Sequence, residues 1–297
     1  MTATYHVDGR LVPAGEATVD VRDRGFMYGD AAFETLRVYG GDVFAWEAHA
    51  ERLARTCRTL DFDEAMPPAD DLRERVRETV AANDLAEAYA RLSITRGVQP
   101  GKLTPEPRVD PTIVVVVTEL PRGGTAGTPV WDGPATLRTV ERRQPSGTAL
   151  PADAKTHNYL SGILARLELR GTDADEAIMR DAEGHVAEGA TSNLFFVDGG
   201  TLKTPSTALP ILPGVTRSVV LELAREEGLP VETGRYGVSD LRAADEVFAT
   251  NTTWEVRPVT RVDGATLEVG PMTELLGRLF DQRVERACYA DESRSKA

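Results

Sequence analysis

Lysine is scarce in this chain. Of 34 basic residues among 297, only four are lysines, and arginine supplies the others. Three of them have ordinary surroundings: Lys102 lies in a Gly/Pro-rich stretch, Lys203 follows a Gly-Gly turn, and Lys296 is in a tail that we expect to fray. Only Lys155 lies at the start of a predicted helix. Of the four lysines, it is therefore the first candidate for a chemical role.

Cysteine and net positive charge are also in short supply. Cys57 and Cys288 lie far apart in helical patterns, without CxxC spacing or Cys/His companions, which argues against a zinc or redox site and predicts two small buried side chains. The formal net charge of −13 and the pI of about 4.9 argue against nucleic-acid binding. Because the acidic residues are spread along the chain, they predict an acidic surface without a specific partner.

Long apolar runs are absent as well. The longest, IVVVV at 113–117, has the length of a strand, far below the roughly 18 residues that a membrane span requires. The first twenty residues lack the basic start and apolar centre of a signal peptide. With 41% hydrophobic and 27% charged residues, the composition is that of a globular protein. We therefore expect a cytoplasmic protein without a membrane partner.

What is present is a mixture of strand and helix patterns. TYHVDGRLV (4–12) predicts a hairpin around a DG turn, and AAFETLRVYGGDVFAW (31–46) predicts two strands around a GGD turn. The first part of the chain continues with predicted helices at 47–60 and 69–84 and strands at 90–95 and 112–120.

The second part begins after a change of composition. PRGGTAGTP (121–129) is rich in Gly, Pro and Thr, as linkers are, so we expect one domain at 1–120, a linker at 121–130 and a second domain at 131–290. The predicted elements of the second domain are a strand at 135–142, a helix starting near Asn158, a strand–turn–strand unit at 176–198, a helix at 216–228, strands near 246–260 and a helix at 271–288. Without regular βαβ alternation, the pattern favours an α+β fold.

Lys155, in DAKTHNYLSG (153–162), is the first candidate for chemistry. A lysine amine becomes a useful nucleophile when burial or a nearby cation lowers its pKa. Taken alone, a lysine is usually a solvated surface charge. The stretches downstream are what favour a chemical role.

Glu188, in HVAEGATSNLFFV (185–197), is predicted to lie between a strand and a turn. A carboxylate held against a pyridine nitrogen keeps that ring protonated and so makes it an electron sink. The alternative for Glu188 alone is an ordinary turn residue.

Three other stretches have the chemistry of anion binding. ILPGVTR (211–217) places LPG before a helix whose first amides and Thr216 hydroxyl would face outward. TNTT (250–253) ends a strand with hydroxyl side chains and amides that we expect to be exposed, and EAHAERL (47–53) puts His49 and Arg52 on one helix face. The alternatives are a plain helix entry, a polar strand end and a solvated arginine.

Together and in this order, HAERL, KTHNYL, EGATSNLF, LPGVTR and TNTT resemble the class IV, or fold-type IV, pyridoxal-phosphate aminotransferases. That group includes branched-chain aminotransferase, D-amino acid aminotransferase and 4-amino-4-deoxychorismate lyase. The resemblance extends from DRGFMYGDAAFE (23–34) to VDG near 263. It implies a smaller N-terminal α/β domain, a larger C-terminal pseudo-barrel domain that binds pyridoxal 5'-phosphate, an active site at the domain interface, no metal, and a homodimer or higher homo-oligomer.

The resemblance also implies roles for individual residues. Lys155 would form the Schiff base with the cofactor and then move the substrate proton, and Glu188 would pair with the pyridine nitrogen. Tyr159 would lie by the 3' oxygen of the ring. The implied cofactor-binding residues are Arg52, Lys155, Tyr159, Glu188, Leu212, Gly214, Val215, Thr216, Asn251 and Thr252, and the implied substrate-binding residues are Phe33, Tyr89, Arg91 and Thr253.

Within the family, the motifs point to more than one substrate. FE at 33–34 resembles the branched-chain and D-amino acid enzymes, and YAR at 89–91 resembles the YIR of bacterial branched-chain enzymes, whose arginine helps to bind substrate carboxylates. TRGVQPGKL (95–103) and TNTT resemble the D-amino acid enzymes. However, Gly101 and Leu103 stand where those enzymes have their carboxylate-binding arginine and histidine, and Phe33 replaces their tyrosine.

We therefore rank a branched-chain or broad-specificity aminotransferase using a 2-oxo acid such as 2-oxoglutarate first, the lyase second and a D-selective enzyme third. In this hypothesis the amides around Thr253 anchor the α-carboxylate, and Arg91 binds the second carboxylate of the oxo acid. The alternative for Arg91 is an exposed residue on an edge strand. A cofactor-holding protein without turnover is the hypothesis from another class, and the presence of both Lys155 and Glu188 disfavours it.

Overall fold

The computed structural model describes residues 3–122 and 129–289, which form two compact units. The N-terminal unit comprises residues 3–122, 154–158 and 284–289, and the C-terminal unit comprises residues 129–153 and 159–283. Most of the predicted linker (123–128) and Lys296 lie outside the described residues. Among the described helices, none is long and apolar enough to cross a membrane.

An antiparallel sheet of six strands builds the N-terminal unit, counted over its described residues. The sheet order is β2-β1-β6-β5-β3-β4. The strands are β1 (Thr4–Val7), β2 (Arg10–Pro13), β3 (Ala31–Tyr39), β4 (Asp42–Val43), β5 (Ala88–Thr95) and β6 (Ile113–Glu119). The predicted hairpin is confirmed, and its turn residues Asp8 and Gly9 both have positive φ, as a two-residue DG turn requires.

Three helices accompany this sheet, α1 (Arg24–Tyr28), α2 (Trp46–Thr59) and α3 (Ala69–Ala81). Because side chains alternate along a strand, β5 buries Leu92 in a core with Leu36, Leu53 and Val76. Its odd-numbered residues, including Arg91, face away from that core. The prediction for 31–46 was wrong in one detail, since the second strand ends at Val43 and Trp46 already begins α2.

The described part of the C-terminal unit is organised around a mixed sheet of nine strands with the order β12-β11-β10-β13-β14-β7-β8-β9, and β15 pairs with β14. Its elements in chain order are β7 (Ala135–Arg143), α4 (Leu160–Glu168), β8 (Glu176–Arg180), β9 (Val186–Gly189), β10 (Asn193–Asp198), β11 (Thr201–Pro205), α5 (Val215–Glu226), β12 (Val231–Gly234), α6 (Val238–Ala243), β13 (Glu246–Asn251), β14 (Glu255–Val262), β15 (Ala265–Thr266) and α7 (Pro271–Cys288), of which residues 284–288 belong to the N-terminal unit. The main core of this unit contains Leu137, Ile178, Phe196 and Val259.

Local differences from prediction concentrate near the candidate residues. The segment 176–198 contains three strands rather than two, because Gly189 N donates to Ser192 O and closes a second turn. The helix predicted near Asn158 begins at Leu160. The short elements α1, α6, β11 and β12 were not predicted, since none is long enough to show a clear hydrophobic period.

The two cysteines differ in exposure. Cys57 is fully buried, as predicted, whereas Cys288 is only half-buried near the end of α7. Burial raises the pKa of each thiol to about 12. Because the thiolate is the reactive form, neither residue is a nucleophile near neutral pH.

Candidate active site

Lys155 lies on a short irregular segment that is fastened to β3 through its backbone. Phe33 N donates to Lys155 O at 3.0 Å, His157 N donates to Ala31 O at 3.0 Å, and Ala32 and Thr156 form an isolated antiparallel bridge. Lys155 N also donates to Thr56 Oγ1 of α2 at 3.0 Å. The main chain of Lys155 is therefore fixed at both its N–H and its C=O.

The Lys155 side chain extends over an aromatic ring. Its Nζ atom is 4.4 Å from the centroid of the Phe33 ring, and Cζ of Arg91 is 3.8 Å from the same centroid. Both distances lie within the ~6 Å range of cation–π attraction. Phe33 is buried while Lys155 and Arg91 are half-buried, so one buried ring positions two cations.

His157 borders this ring at its edge. The two ring centroids are 5.5 Å apart at 69°, and His157 Nε2 lies 3.3 Å from Ser93 Oγ. Burial, followed by the positive charge of Arg91, lowers the pKa of His157 to about 4. The imidazole is therefore neutral near pH 7 and adds no further positive charge beside Lys155.

Arg91 occupies an interior strand. In β5 it pairs with Thr35 of β3 on one side and Val116 of β6 on the other. The alternative of an exposed arginine on an edge strand is therefore wrong. Tyr89, two residues earlier, is half-buried on the same face of the strand, as the two-residue period predicts.

Arg52 is buried in an ion pair with Glu34. Its Nε and Nη2 donate to the two carboxylate oxygens at 2.8 and 2.6 Å, and His49 Nδ1 lies 2.8 Å from Oε2. Burial alone would raise the pKa of Glu34, but Arg52 and the His49 hydrogen bond together lower it to about 2. The pKa of His49 is lowered, chiefly by burial and against the pull of Glu34. The guanidinium of Arg52 thus has a fixed orientation, and its role toward a phosphate stays a prediction.

Glu188 belongs to β9 itself, so its predicted place between a strand and a turn is wrong. Its carboxylate accepts hydrogen bonds from Gln144 Nε2 at 2.5 Å, from Leu212 N at 3.0 Å and from Asn193 Nδ2 at 3.2 Å. Donors around a carboxylate stabilise its negative charge and fix its direction. Glu188 is therefore a held anion within the C-terminal unit.

The start of α5 is shaped by the same asparagine. Gly214 is the N-cap residue, and the helix start receives no side-chain cap there. A Cβ atom on Gly214 would lie 2.0 Å from Asn193 Oδ1, so only glycine fits. Asn193 Nδ2 also donates to Leu212 O at 3.0 Å. Val215 and Thr216 are buried in the first turn.

Two buried polar atoms near these residues in the sequence have no hydrogen-bond partner among the described residues, namely Arg217 Nε in the first turn of α5 and Thr250 Oγ1 at the end of β13. Buried polar groups are nearly always paired. Asn193 and Leu212 link the Glu188 carboxylate to the uncapped start of α5, and these two groups have the chemistry that the ring nitrogen and the phosphate of a pyridoxal phosphate require. The residues present therefore fit that cofactor.

The TNTT stretch is folded differently from the expectation. Asn251 Oδ1 accepts hydrogen bonds from Thr253 N at 3.0 Å, Thr253 Oγ1 at 3.1 Å and Trp254 N at 2.7 Å. The prediction that the Thr253 amide is exposed was wrong, because the asparagine side chain closes a local turn with it. The role of Thr253 toward a substrate carboxylate stays a prediction. Thr252 is half-buried in this turn, and Tyr159 is half-buried just before α4.

Sequence reasoning missed the residues that position others. Glu34 belongs to the FE pair, but its partner Arg52 lies 18 residues further along the chain, beyond any helix or strand period. Asn193 begins the NLFFV strand, where a buried amide is an unusual choice. No local pattern identifies Gln144 as a partner of Glu188, because the two residues lie 44 positions apart along the chain.

Comparisons with known proteins agree with this arrangement. The family model for amino-transferase class IV matches residues 31–262. A protein of Methanocaldococcus jannaschii, provisionally named a branched-chain-amino-acid aminotransferase, is 36% identical over 93% of this chain and 94% of its own length. The D-alanine aminotransferase of Listeria monocytogenes is 33% identical over 95% of this chain and 96% of its own.

Solved structures are similar over nearly the whole chain. The branched-chain aminotransferase from Thermoproteus uzoniensis with norvaline has a TM-score of 0.87 and 30% identity, covering 97% of this chain and 96% of that one. The T.th. branched-chain amino acid aminotransferase complexed with N-(5'-phosphopyridoxyl)-L-glutamate has a TM-score of 0.86 and 28% identity, covering 97% and 95%. The two-unit α+β architecture is thus the fold-type IV fold.

This chain belongs to the class IV aminotransferases. It is an aminotransferase of a family whose members depend on pyridoxal phosphate, acting on amino acids and 2-oxo acids as that family does.

Proposed function

We propose that this enzyme transfers the amino group of a branched-chain L-amino acid to 2-oxoglutarate, with pyridoxal 5'-phosphate as cofactor. The proposal is supported by the branched-chain enzymes among its relatives and by a similar structure whose ligand joins the phosphopyridoxyl group to L-glutamate. The reaction needs one site that accepts an apolar side chain in one half-reaction and a second carboxylate in the other.

The observation that carries the proposal is the placement of Lys155 and Arg91 on one Phe33 ring. An apolar ring beside the nucleophile suits the side chain of a branched-chain donor. The neighbouring guanidinium suits the γ-carboxylate of 2-oxoglutarate, because arginine forms strong charge-assisted hydrogen bonds with carboxylates. The cation–π contact with Phe33 already positions the Arg91 guanidinium. A bound carboxylate would add a charge-assisted hydrogen bond to that contact.

For the cofactor, the proposal assigns a residue to each of its polar groups. The start of α5, with Val215 and Thr216, and Arg52 would bind the phosphate, Glu188 the ring nitrogen and Tyr159 the 3' oxygen. Leu212, Gly214, Asn251 and Thr252 would shape the surrounding turns. When bound, the cofactor supplies an electron sink for carbanion chemistry.

The protein supplies the nucleophile and the proton transfer. Lys155 would hold the cofactor through its Nζ atom, and the same amine would move the proton at the substrate Cα. Glu188 would keep the ring nitrogen charged, and the hydrogen bonds from Gln144, Leu212 and Asn193 hold its carboxylate in place. Phe33 limits the positions open to Nζ, since the amine stays close to the ring face.

A D-selective enzyme is the competing proposal, since the D-alanine aminotransferase of Listeria monocytogenes is nearly as similar. Against it, the loop that would carry the carboxylate-binding residues has Gly101 and an apolar, 80% exposed Leu103. The lyase activity differs from both because it needs no oxo-acid acceptor.

One experiment separates these activities. The enzyme is loaded with pyridoxal 5'-phosphate and mixed separately with L-leucine, L-glutamate, D-alanine, D-glutamate and aminodeoxychorismate. We expect L-leucine and L-glutamate to remove the visible absorption band, and 2-oxoglutarate to restore it. Faster loss of the absorption band with the D-amino acids would refute the proposed preference for L-amino acids. Pyruvate release from aminodeoxychorismate without an oxo-acid acceptor would refute the transaminase proposal.

The proposal also includes a homodimer or higher homo-oligomer in the cytoplasm, with the domain boundary within residues 121–130. The family resemblance supports the oligomer, and the composition supports the location and the lack of a nucleic-acid partner. Light scattering coupled to size-exclusion chromatography gives the mass in solution, and a mass of 32.2 kDa would refute the oligomer.

A further inference from the structure

The C-terminal unit contains a pocket of about 430 Å³ between the start of α7 and the start of β14. Its size lies within the ~300–1,000 Å³ of small-molecule sites. None of the residues predicted for cofactor or substrate lines it, so it is not explained by the aminotransferase reaction. Its apolar walls include Trp131, Val256, Pro258 and Phe280.

The floor of this pocket includes a glycine inside a long helix. Gly277 lies in α7, an 18-residue helix, and apart from its own helix backbone no atom lies within 4 Å of the position that its Cβ would occupy, counted over the described residues. A glycine inside a helix costs about 1 kcal/mol relative to alanine. Since no neighbour forbids a side chain here, the open space above Gly277 has no packing explanation within the described protein.

A second observation concerns Thr273, which also lines the pocket. Its residue is 2% exposed, and its Oγ1 atom has no hydrogen-bond partner among the described residues. Its backbone N–H is satisfied, because Thr273 N donates to buried Glu246 Oε2 at 2.7 Å. Only the hydroxyl is left for a group from outside, and a buried unpaired hydroxyl costs roughly 1–3 kcal/mol.

The charges around the pocket indicate the class of molecule. The lining has carboxylates of Glu255, Glu274 and Asp281 against one guanidinium, that of Arg278, whose Nη1 atom lies 4.0 Å from Glu274 Oε2. The carboxylate of Glu246 already satisfies the N–H groups of Met272 and Thr273 at the start of α7, so an anion has little to bind. A carboxylate has about four acceptor sites, so each can bind a cation in addition to any bond inside the protein. Trp131 and Phe280 add aromatic rings, which attract organic cations.

We propose that this pocket, the α7 pocket, is a binding site for a small organic cation with an apolar body, independent of the aminotransferase site. The apolar part lies against Trp131 and over Gly277, the charged end faces the carboxylates, and the Thr273 hydroxyl accepts or donates one hydrogen bond. The inference does not depend on the proposed substrate.

The test uses benzyltrimethylammonium as a probe on the full-length, cofactor-loaded enzyme. A quaternary amine cannot form a Schiff base, so its binding is separate from cofactor chemistry. Titration calorimetry should show saturable binding, whereas benzenesulfonate, with a similar ring and opposite charge, should not bind. Gly277→Leu should weaken probe binding at least about tenfold by filling the space, with transamination of L-leucine unchanged.

Two further variants keep the test independent of one substitution. Glu274→Gln should weaken binding of the probe about threefold through loss of charge, while Glu268→Gln, the same change at an exposed position outside the lining, should leave it unchanged. Gly277→Ala should raise the melting temperature, since nothing opposes its Cβ among the residues that the structure describes. Equal binding of benzenesulfonate, or unchanged affinity in both Gly277→Leu and Glu274→Gln, would overturn the proposal.

Discussion

Lys155 and Glu188 are held in opposite ways. Lys155 is anchored through its main chain on an irregular segment, and its amine lies over the Phe33 ring. Glu188 is part of a strand, and its carboxylate itself accepts three hydrogen bonds. These contacts fix the main chain of Lys155, whereas those of Glu188 act on the functional group itself.

The difference matches what each residue must do in the proposed reaction. A nucleophile that also transfers a proton has to change position during the reaction, and attraction to a ring face, which has no fixed direction, is compatible with that change. A carboxylate that keeps a ring nitrogen charged has to remain in one place. The lysine anchored through its backbone thus belongs to the N-terminal unit, and the hydrogen-bonded carboxylate belongs to the C-terminal unit.

The greatest loss of activity is expected from removing the Lys155 amine. Lys155→Ala should lower the transamination rate by at least about a thousandfold, because both nucleophile and base are lost. Stopped-flow absorbance with L-leucine measures the loss, and circular dichroism should show an unchanged fold. Lys203→Ala is the matched control, since Lys203 forms its ion pair with exposed Asp198 at the surface of the C-terminal unit. Normal turnover by Lys155→Ala would refute the catalytic role of Lys155.

Glu34 lies in the same unit as Lys155, but hydrogen-bond donors hold its carboxylate, as they hold that of Glu188. Glu34→Gln therefore tests what such donors contribute to stability. Replacing one partner of its buried ion pair with Arg52 should lower the free energy of unfolding by about 3 kcal/mol, measured by urea denaturation. The pKa of Glu34 is lowered to about 2 from its ordinary value of 4.5. The stabilisation is therefore complete above pH 4.5 and is lost as the pH falls toward 2.

The difference in unfolding free energy between wild type and Glu34→Gln should consequently shrink as the pH falls from 4.5 toward about 2. A constant difference over that range would show that Glu34 does not stabilise the fold through its charge. Thr59→Ser, a small exposed change on the same helix as Arg52, serves as the control for denaturation.

Removing the charge of Glu188 should lower the reaction rate less than removing the Lys155 amine does. Glu188→Gln should slow the half-reaction with L-leucine about a hundredfold, because the electron sink is weakened while glutamine retains most of the local hydrogen bonds. Rapid-scan spectra measure this rate. Glu183→Gln, at an exposed neighbouring position, should react normally, and an unchanged rate in Glu188→Gln would refute its electronic role.

The smallest effect is expected from Arg91, because it concerns one substrate only. Arg91→Ala should raise KM for 2-oxoglutarate about tenfold, the loss of one charge-assisted contact. The half-reaction with L-leucine should change less, since that donor has no second carboxylate. Steady-state and single-turnover kinetics compare the two, with Arg138→Ala at an exposed strand position as control. Equal losses for both substrates would show a structural role.

Much of the fold followed from local patterns. The 4–12 hairpin, the helices at 46–59 and 271–288 and the strand at 113–119 lie within two residues of the prediction, because their turn residues and hydrophobic periods are local properties. The third strand in 176–198 was missed because it depends on a hydrogen bond between Gly189 and Ser192 that no periodicity reveals. The exposed Thr253 amide was a wrong expectation for the same reason, since Asn251 accepts it.

The longer elements in their order, the family and the small set of residues able to do the chemistry, with Lys155 first among them, followed from the amino-acid sequence. Tertiary structure was needed to find the side chains that hold those residues: Phe33 beneath Lys155, Glu34 on Arg52, and Gln144 and Asn193 on Glu188. Turns and periods depend on residues a few positions apart, whereas these partners are chosen by strand order and register, which bring together residues as far as 122 positions apart, from Phe33 to Lys155.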